Sequence, residues 1–87
     1  MEWVRGLVVR AAAGRDRGGF FTVLGAEGNF ALICDGKRRS LARPKRKNRK
    51  HLFPTAAVLD EASLQTDREI RKALSALGGG RSNEGGF

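Results

Sequence analysis

The sequence predicts a mainly β protein, a small barrel of about five strands with a C-terminal α-helix. Three observations lead to this prediction. Short runs of β-branched and aromatic residues alternate with glycine-rich turns as far as Pro54, the spacing of apolar residues then becomes helical, and 87 residues suit one small domain. We therefore expect a barrel over residues 1–54, a helical segment over 55–77 and a disordered glycine-rich tail over 78–87.

The first three strands are predicted from apolar runs that end at turn residues. Residues 3–10 alternate roughly between apolar and other side chains, residues 20–24 are rich in aromatic and β-branched types, and residues 30–34 form a third apolar run. The segments between them, 14–19 and 25–29, contain glycines that can adopt the positive φ angles of tight turns.

The next two strands are predicted from the dipeptide Asp35-Gly36 and from two prolines. Asp-Gly between two extended runs is typical of a two-residue hairpin turn, so residues 37–43 are expected to return as the fourth strand. Pro44 lacks a backbone donor and should end that strand or place it at an edge. Residues 51–53 then form a short fifth strand, which the proline after it stops.

A helix is predicted after the strands, where apolar residues recur every three or four positions. Residues 56–59 are expected to make one helical turn. Thr66 and Glu69 have the spacing of a capping box, in which the threonine side chain satisfies a backbone donor in the first helical turn. The helix that follows ends at the glycines of residues 78–80. Its apolar residues share one face: Ile70, Ala73, Leu74 and Leu77.

The positive charge of the protein is concentrated in residues 37–51, which we call the basic stretch. The net charge is +8, and 9 of the 17 lysines and arginines lie in this segment with no acidic residue among them. Its candidate binding residues are Lys37, Arg38, Arg39, Arg43, Lys45, Arg46, Lys47, Arg49, Lys50 and His51. Such a concentration favours a polyanionic partner, because phosphates relieve the repulsion between the cations and release counterions. A solvated flexible loop and a localisation signal are the alternative interpretations.

A second, smaller basic site is predicted in the turn between the first two strands. Arg15 and Arg17 are flanked there by glycines, whose exposed backbone N–H groups allow a phosphate to approach closely. The alternative is an ordinary turn with solvated charges, in which Asp16 pairs with one of the arginines.

The sequence contains no arrangement typical of an enzyme, a cofactor site or a metal site. It has no paired carboxylates, no nucleophile beside a base and no Walker-type glycine loop, and its one histidine, His51, has no second ligand nearby. The single cysteine, Cys34, lies in an apolar run, where a buried and unreactive thiol is expected. No apolar run approaches the roughly 20 residues of a transmembrane helix. We therefore expect no enzymatic activity, cofactor, small-molecule substrate or membrane partner, and a cytoplasmic location.

Several segments, taken in order, resemble the KOW motif, a short glycine-centred unit found in ribosomal proteins and transcription-elongation factors. The full pattern resembles the small bacterial KOW-domain RNA-binding proteins, which are similar to one eukaryotic and archaeal group of large-subunit ribosomal proteins. The likeness covers roughly residues 4–54 and continues in the helix. It is carried by residues 6–9 (GLVV), 14–18 (GRDRG), 21–24 (FTVL), 31–36 (ALICDG), 43–52 (RPKRKNRKHL) and 66–74 (TDREIRKAL).

This resemblance implies an SH3-like barrel that binds structured RNA, ribosomal RNA in particular, with ribosomal proteins as further partners. In such modules the loop between the first two strands, here residues 14–19, often contacts RNA. KOW units commonly carry Gly-Lys near the end of that loop, where this chain has Gly18-Gly19. Arg15 or Arg17 would therefore have to make the phosphate contact.

We expect a non-enzymatic RNA-binding protein that recognises phosphates and RNA shape more than base identity. Within the basic stretch, Arg38 and Arg43 should be held more firmly than residues 45–50, because they lie in a hairpin arm. Two other functions stay open. One is a protein-interaction adaptor of the translation or transcription machinery, which docks through a sheet edge or the 66–77 helix. The other is duplex DNA binding, although no helix carries the basic face usual for groove entry.

Overall fold

The computed structural model describes residues 3–14 and 17–78, which form a five-stranded antiparallel sheet followed by one α-helix. The predicted mainly β architecture with a C-terminal helix is therefore confirmed. Two 3-10 helices, Arg49–His51 and Glu61–Leu64, connect the main elements. The main elements are β1 (Leu7–Ala11), β2 (Phe20–Glu27), β3 (Phe30–Cys34), β4 (Lys45–Asn48), β5 (Leu52–Val58) and α1 (Asp67–Gly78).

The strands lie in the order β4-β3-β2-β1-β5, so β4 and β5 are the two edges of the sheet. These edges are not hydrogen-bonded to each other, yet in the chain they are separated by no more than the 3-10 helix Arg49–His51. In a flat sheet, four strand spacings would place them roughly 19 Å apart. Three residues of 3-10 helix span about 6 Å. The sheet is therefore strongly coiled, and its edges approach each other at this connection.

Each face of the coiled sheet carries an apolar core. The inner core contains residues of four strands: Leu7, Val9, Ala11, Phe21, Val23, Ala31, Ile33 and Leu52. On the outer face, Val8 and Cys34 pack against Leu64, Ile70 and Leu74 of the C-terminal segment. Neighbouring residues of a strand point to opposite faces, so the residues of β1 are divided between the two cores. The helix covers part of the outer face and leaves the rest of it open.

The predicted fourth strand over residues 37–43 is wrong, because these residues form a loop and the strand begins after them. A two-residue hairpin turn needs positive φ at both central positions, but Gly36 has a φ of 78° and Asp35 has no positive φ. The Asp35 carboxylate instead accepts hydrogen bonds from the backbone N–H groups of Lys37 (2.9 Å) and Arg39 (3.0 Å). These local bonds satisfy donors that a strand would have given to a neighbouring strand.

The predicted fifth strand is correct in position but too short. It begins at Leu52 and continues through Pro54 to Val58, across the boundary expected between barrel and helical segment. Pro54 is tolerated because β5 is an edge strand. Every second backbone N–H of an edge strand points away from the sheet and has no hydrogen-bond partner in it, so a proline there costs no bond. At the other end of the chain, the first strand is Leu7–Ala11, shorter than the predicted 3–10.

The helical turn predicted over residues 56–59 is also wrong, since most of this segment belongs to β5. Thr55 holds the segment against β1, because its Oγ1 donates to the Val8 carbonyl oxygen at 2.7 Å. The same Oγ1 accepts a hydrogen bond from the Ala57 N–H at 3.1 Å. The strand pairing with β1 therefore outweighs the helical preference of the alanines.

The predicted cap of the helix is confirmed, since Thr66 Oγ1 accepts a hydrogen bond from the backbone N–H of Glu69 at 3.1 Å. The helix buries Ile70 and Leu74 against the outer face of the sheet. Leu77 is half exposed, so the apolar face is longer than the face that packs. The glycine-rich tail, apart from its first residue, lies outside the described residues.

Candidate nucleic-acid interface

The basic stretch folds into three consecutive pieces. The first is a loop over residues 35–44, which we call the basic loop. The second is the edge strand β4, and the third is the 3-10 helix Arg49–His51. The stretch is therefore built into the fold over its whole length and is not a free tail.

The basic loop is docked on the first turns of α1. The backbone N–H of Leu41 donates to Asp67 Oδ1 at 2.8 Å, and Arg71 Nη1 donates to the Gly36 carbonyl oxygen at 3.4 Å. Gly36 packs so closely on the helix that a Cβ there would overlap the Asp67 carbonyl oxygen. The helix thus determines where the basic loop lies.

The side chains of the basic loop extend from this anchored backbone. Lys37, Arg38 and Arg43 are exposed, whereas Arg39 is half-buried. The hairpin arm that was expected to hold Arg38 and Arg43 does not form, because the strand begins only at Lys45. The loop therefore presents exposed cationic side chains on a backbone anchored to α1.

Lys47 connects β4 to the loop between β1 and β2, residues 12–19. Lys45 and Lys47 pair with Ile33 and Ala31 of the inner core, so both project toward the inner side of the sheet. The Lys47 ammonium donates to the Ala13 carbonyl oxygen at 2.9 Å. Through this hydrogen bond, Lys47 holds the start of the 12–19 loop beside β4.

The start of the loop that carries the second predicted basic site thereby lies beside the basic stretch. The Lys47 ammonium lies 3.4 Å from the position that a Cβ on Gly14 would take. At the start of the loop, the Ala12 backbone N–H donates to the His51 carbonyl oxygen at 2.8 Å. Arg17 is exposed in the same loop, while Arg15 lies outside the described residues.

The third piece of the basic stretch is anchored by Arg49. Its guanidinium carbon lies 4.7 Å from the centroid of the Trp3 ring, and its Nη1 donates to the Gly28 carbonyl oxygen at 2.9 Å. Trp3 is half-buried against the inner core. The arginine that stacks on its ring belongs to the protein itself. Lys50, next to Arg49, is exposed, and His51 is half-buried.

Six cations of the basic stretch form no ion pair with any residue in the described ranges 3–14 and 17–78. They are Lys37, Arg38, Arg43, Lys45, Arg46 and Lys50. Counterions from solution are left to neutralise them, and their mutual repulsion is screened by salt. This uncompensated charge is the chief electrostatic feature of the surface.

Arg46 is an outward-facing residue of β4 and stacks on an aromatic ring. Its guanidinium carbon lies 3.8 Å from the centroid of the Phe30 ring. Together with Leu32 and Gly25, these residues line a groove of about 640 Å³ on the outer face of the sheet. No sequence pattern reveals this groove, because it depends on the register that places β4 beside β3.

Two other charged or reactive groups lie apart from this surface. Arg5 Nε and Nη2 donate to the two carboxylate oxygens of Glu61 at 3.0 and 3.1 Å, and this hydrogen bonding lowers the pKa of Glu61. Cys34 is fully buried, as the sequence predicts. Burial, with a smaller effect of the Asp67 and Asp35 carboxylates, raises the pKa of its thiol to about 11.

Within the described part of the chain, no group of histidine, cysteine and acidic residues is placed to hold a metal ion. None of the described helices has the length and apolarity that a membrane-spanning helix requires. A scan against protein-family models finds no match for this chain. A search of curated proteins finds no match either.

Proposed function

We propose that this protein is a non-enzymatic RNA-binding protein that binds structured RNA in the cytoplasm, with ribosomal RNA as its first candidate. The observation that carries the proposal is the contact between the Lys47 ammonium and the Ala13 carbonyl oxygen. It holds the start of the 12–19 loop against the basic stretch, which supports a single cationic surface made from both segments. A single surface of this kind suits the closely spaced phosphates of a folded RNA.

We further propose that the coiled sheet is a small SH3-like barrel of the KOW type. The strand order β4-β3-β2-β1-β5 and the short 3-10 connection between the two edge strands support this assignment. An inner core drawn from four strands supports it as well. The KOW-like segments of the sequence then lie on β1, the loop after it, β2, β3, β4 with its following 3-10 helix, and α1.

The proposed mechanism is neutralisation of phosphates by the six cations that lack an ion pair. The exposed side chains adapt to the RNA, whereas the backbone beneath them is fixed by Asp35 and Asp67. Binding releases counterions, so affinity should fall steeply with salt. If about four phosphates are neutralised, the logarithm of the association constant falls by roughly 3 to 4 per tenfold rise in salt.

The test is filter binding of a ribosomal RNA fragment to the full chain across a salt series. The double variant Arg43→Ala/Lys50→Ala removes two exposed cations of the basic stretch. The matched control Arg68→Ala/Lys72→Ala removes the same charge from exposed positions of α1. We expect the first variant to weaken binding about tenfold or more and to lower the salt slope by about 1 to 2, and the control to leave the slope unchanged.

Two outcomes would contradict the proposal: affinity that does not change with salt, or equal losses in both double variants. Circular dichroism of each variant establishes that the fold is retained. A DNA duplex of the same sequence, added as competitor at constant salt, separates RNA binding from general duplex binding. If the DNA duplex displaces the RNA at equal concentrations of the two, the DNA-binding alternative is favoured.

A protein-interaction adaptor is the second candidate, and the edge strand β5 favours it. Phe53 and Val58 are 62% and 55% exposed there, an uncommon exposure for large apolar residues on an edge. The variant Phe53→Ser should abolish sedimentation with ribosomal subunits if the adaptor function is correct. Under the RNA-binding proposal that variant still sediments, and Arg43→Ala/Lys50→Ala does not.

A further inference from the structure

The part of the outer sheet face that α1 leaves uncovered carries one row of three neighbouring residues. Gly25 of β2 pairs with Leu32 of β3, and Leu32 pairs with Arg46 of β4. Residues paired across strands project to the same face, so the row runs from a glycine through an apolar residue to a cation. Leu32 is 41% exposed, although its neighbours in β3 are buried or half-buried.

Gly25 makes this row into a groove. A Cβ placed on Gly25 would meet no atom within 4 Å, and its φ is not positive. Neither crowding nor backbone geometry therefore requires glycine at this position, and glycine weakens a strand. Its effect is to leave the space beside Leu32 empty, in the groove of about 640 Å³.

The walls of the groove combine apolar surface, an aromatic ring and a planar cation. The Arg46 guanidinium lies 3.8 Å from the centroid of Phe30, the residue next but one to Leu32 on the same face. Because Arg46 is exposed, its guanidinium is still accessible to a second planar group. Single-stranded RNA is commonly recognised by stacking of bases on aromatic rings and on arginine guanidinium planes.

We propose that this groove binds one unpaired nucleobase of the RNA, stacked on Leu32 and Arg46. The inference rests on the proposed RNA binding and adds a base pocket to a surface otherwise suited to phosphates. Charge complementarity favours RNA as the occupant, since Arg46 in the groove wall forms no ion pair with any described residue. The base enters the groove while its flanking phosphates contact exposed cations of the basic stretch.

Glu27 gives the groove a preference among bases. It lines the groove and pairs with Phe30 across the strands, so it lies on the same face. An ionised carboxylate accepts hydrogen bonds and donates none. Guanine presents two adjacent donors, an imino and an exocyclic amino group, which match the two oxygens of one carboxylate. Guanine is therefore the base that this groove selects.

The first experiment fills the groove. Gly25→Val adds a side chain where space is open and replaces glycine with a residue that favours strands, so the fold should be retained or stabilised. We expect this variant to bind a single-stranded, guanine-containing RNA octamer about 5- to 100-fold more weakly, the loss typical of one stacked base. Binding to an RNA duplex of equal phosphate number should change less than twofold.

The second experiment tests the base preference. Replacing guanine with inosine in the octamer removes the exocyclic amino group, and this should weaken binding by several-fold. In Glu27→Gln the difference between the two octamers should shrink, because the amide has one acceptor oxygen in place of two. An inosine octamer that binds as tightly as the guanine octamer would overturn the role of Glu27.

Nuclear magnetic resonance then locates the base. Guanosine monophosphate should shift the amide signals of Gly25 and Leu32, whereas ribose 5-phosphate should leave them unchanged. Equal shifts with both compounds, or an unchanged octamer affinity in Gly25→Val, would overturn the base pocket. If duplex RNA still binds with a steep salt dependence, the proposed function survives that failure. If neither RNA binds, the proposed function is itself wrong.

Discussion

The carboxylate of Asp67 accepts a hydrogen bond from the backbone N–H of Leu41 at 2.8 Å, although 26 positions separate the two residues. Asp67 is the first residue of α1, and Leu41 lies in the basic loop. The bond satisfies a half-buried backbone N–H of the loop. The Asp67 carboxylate also lies at the helix N-terminus, where a negative charge interacts favourably with the helix dipole. The helix thus stabilises the loop that carries three of the six cations without an ion pair.

Replacing Asp67 should therefore loosen the basic loop. Asp67→Ala leaves the Leu41 N–H without its acceptor, and we expect a loss of about 1 to 3 kcal/mol in the free energy of unfolding. Denaturant unfolding measures this loss, and amide hydrogen exchange at Leu41 should become faster. Thr66→Ala is the matched control, since it removes the helix cap at a cost of about 1 kcal/mol without touching the loop. Equal exchange at Leu41 in both variants would contradict the role given to Asp67.

Gly36 should tolerate no side chain. Its φ of 78° is unfavourable for other residues, and a Cβ would overlap the Asp67 carbonyl oxygen. Gly18 has a similar φ of 86° but no described atom within 4 Å of a Cβ position. We expect Gly18→Ala to cost about 1 to 2 kcal/mol, the conformational penalty alone. Thermal unfolding should show a clearly larger loss for Gly36→Ala, and similar losses would contradict the close packing of loop and helix.

The stack of Arg49 on Trp3 should be visible in tryptophan fluorescence. Trp3 is the only tryptophan of the chain, and the Arg49 guanidinium carbon lies 4.7 Å from its ring centroid. Arg49→Ala should uncover the ring, so that acrylamide quenches its emission more strongly. Lys50→Ala removes the neighbouring exposed cation, and acrylamide should quench the tryptophan emission of this variant as strongly as that of the protein without substitutions. Unaltered quenching in Arg49→Ala would show that the stack does not persist in solution.

Cys34 should resist both alkylation and ionisation in the folded protein. Burial raises the pKa of its thiol from 9.0 to about 11, so folding favours the protonated form. This contribution to stability is complete below pH 9 and is lost as the pH rises through 11. We expect the free energy of unfolding to fall in that interval relative to Cys34→Ala, with the two curves parallel at lower pH. A thiol that titrates near 9 in the folded state would contradict this prediction.

The sequence predicted the parts of the fold that depend on local patterns. Apolar runs located β2 and β3, and the capping pair Thr66 and Glu69 located the helix. The fourth strand was misplaced because the carboxylate of Asp35 bonds to the backbone beyond Gly36, which no pattern of hydrophobic residues reveals. The fifth strand was wrongly expected to stop before Pro54, since the effect of a proline depends on whether its strand lies at an edge of the sheet.

The candidate site was predictable in position along the chain but not in arrangement. The local concentration of lysine and arginine identified the basic stretch, yet it could not distinguish Lys47 and Arg49, which hold loops of the protein, from Lys50, which is exposed. The groove beside Gly25 was not predictable, because it depends on the alignment of three strands. Local chemistry therefore identified the charges, and tertiary packing determined which of them are available to a partner.

The position of β1 between β2 and β5 has a consequence for the order in which the chain gains its structure during synthesis. A growing chain can pair β1 with β2 early, but the other side of β1 has no partner until residues 52–58 have left the ribosome. Until then Leu7, Val9 and Ala11 lie at an open strand edge, with the inner core incomplete. The protein must therefore complete its sheet late, through a contact between distant parts of the chain, which slows folding. The basic stretch is synthesised before that last strand, so its cations leave the ribosome before the sheet can be completed.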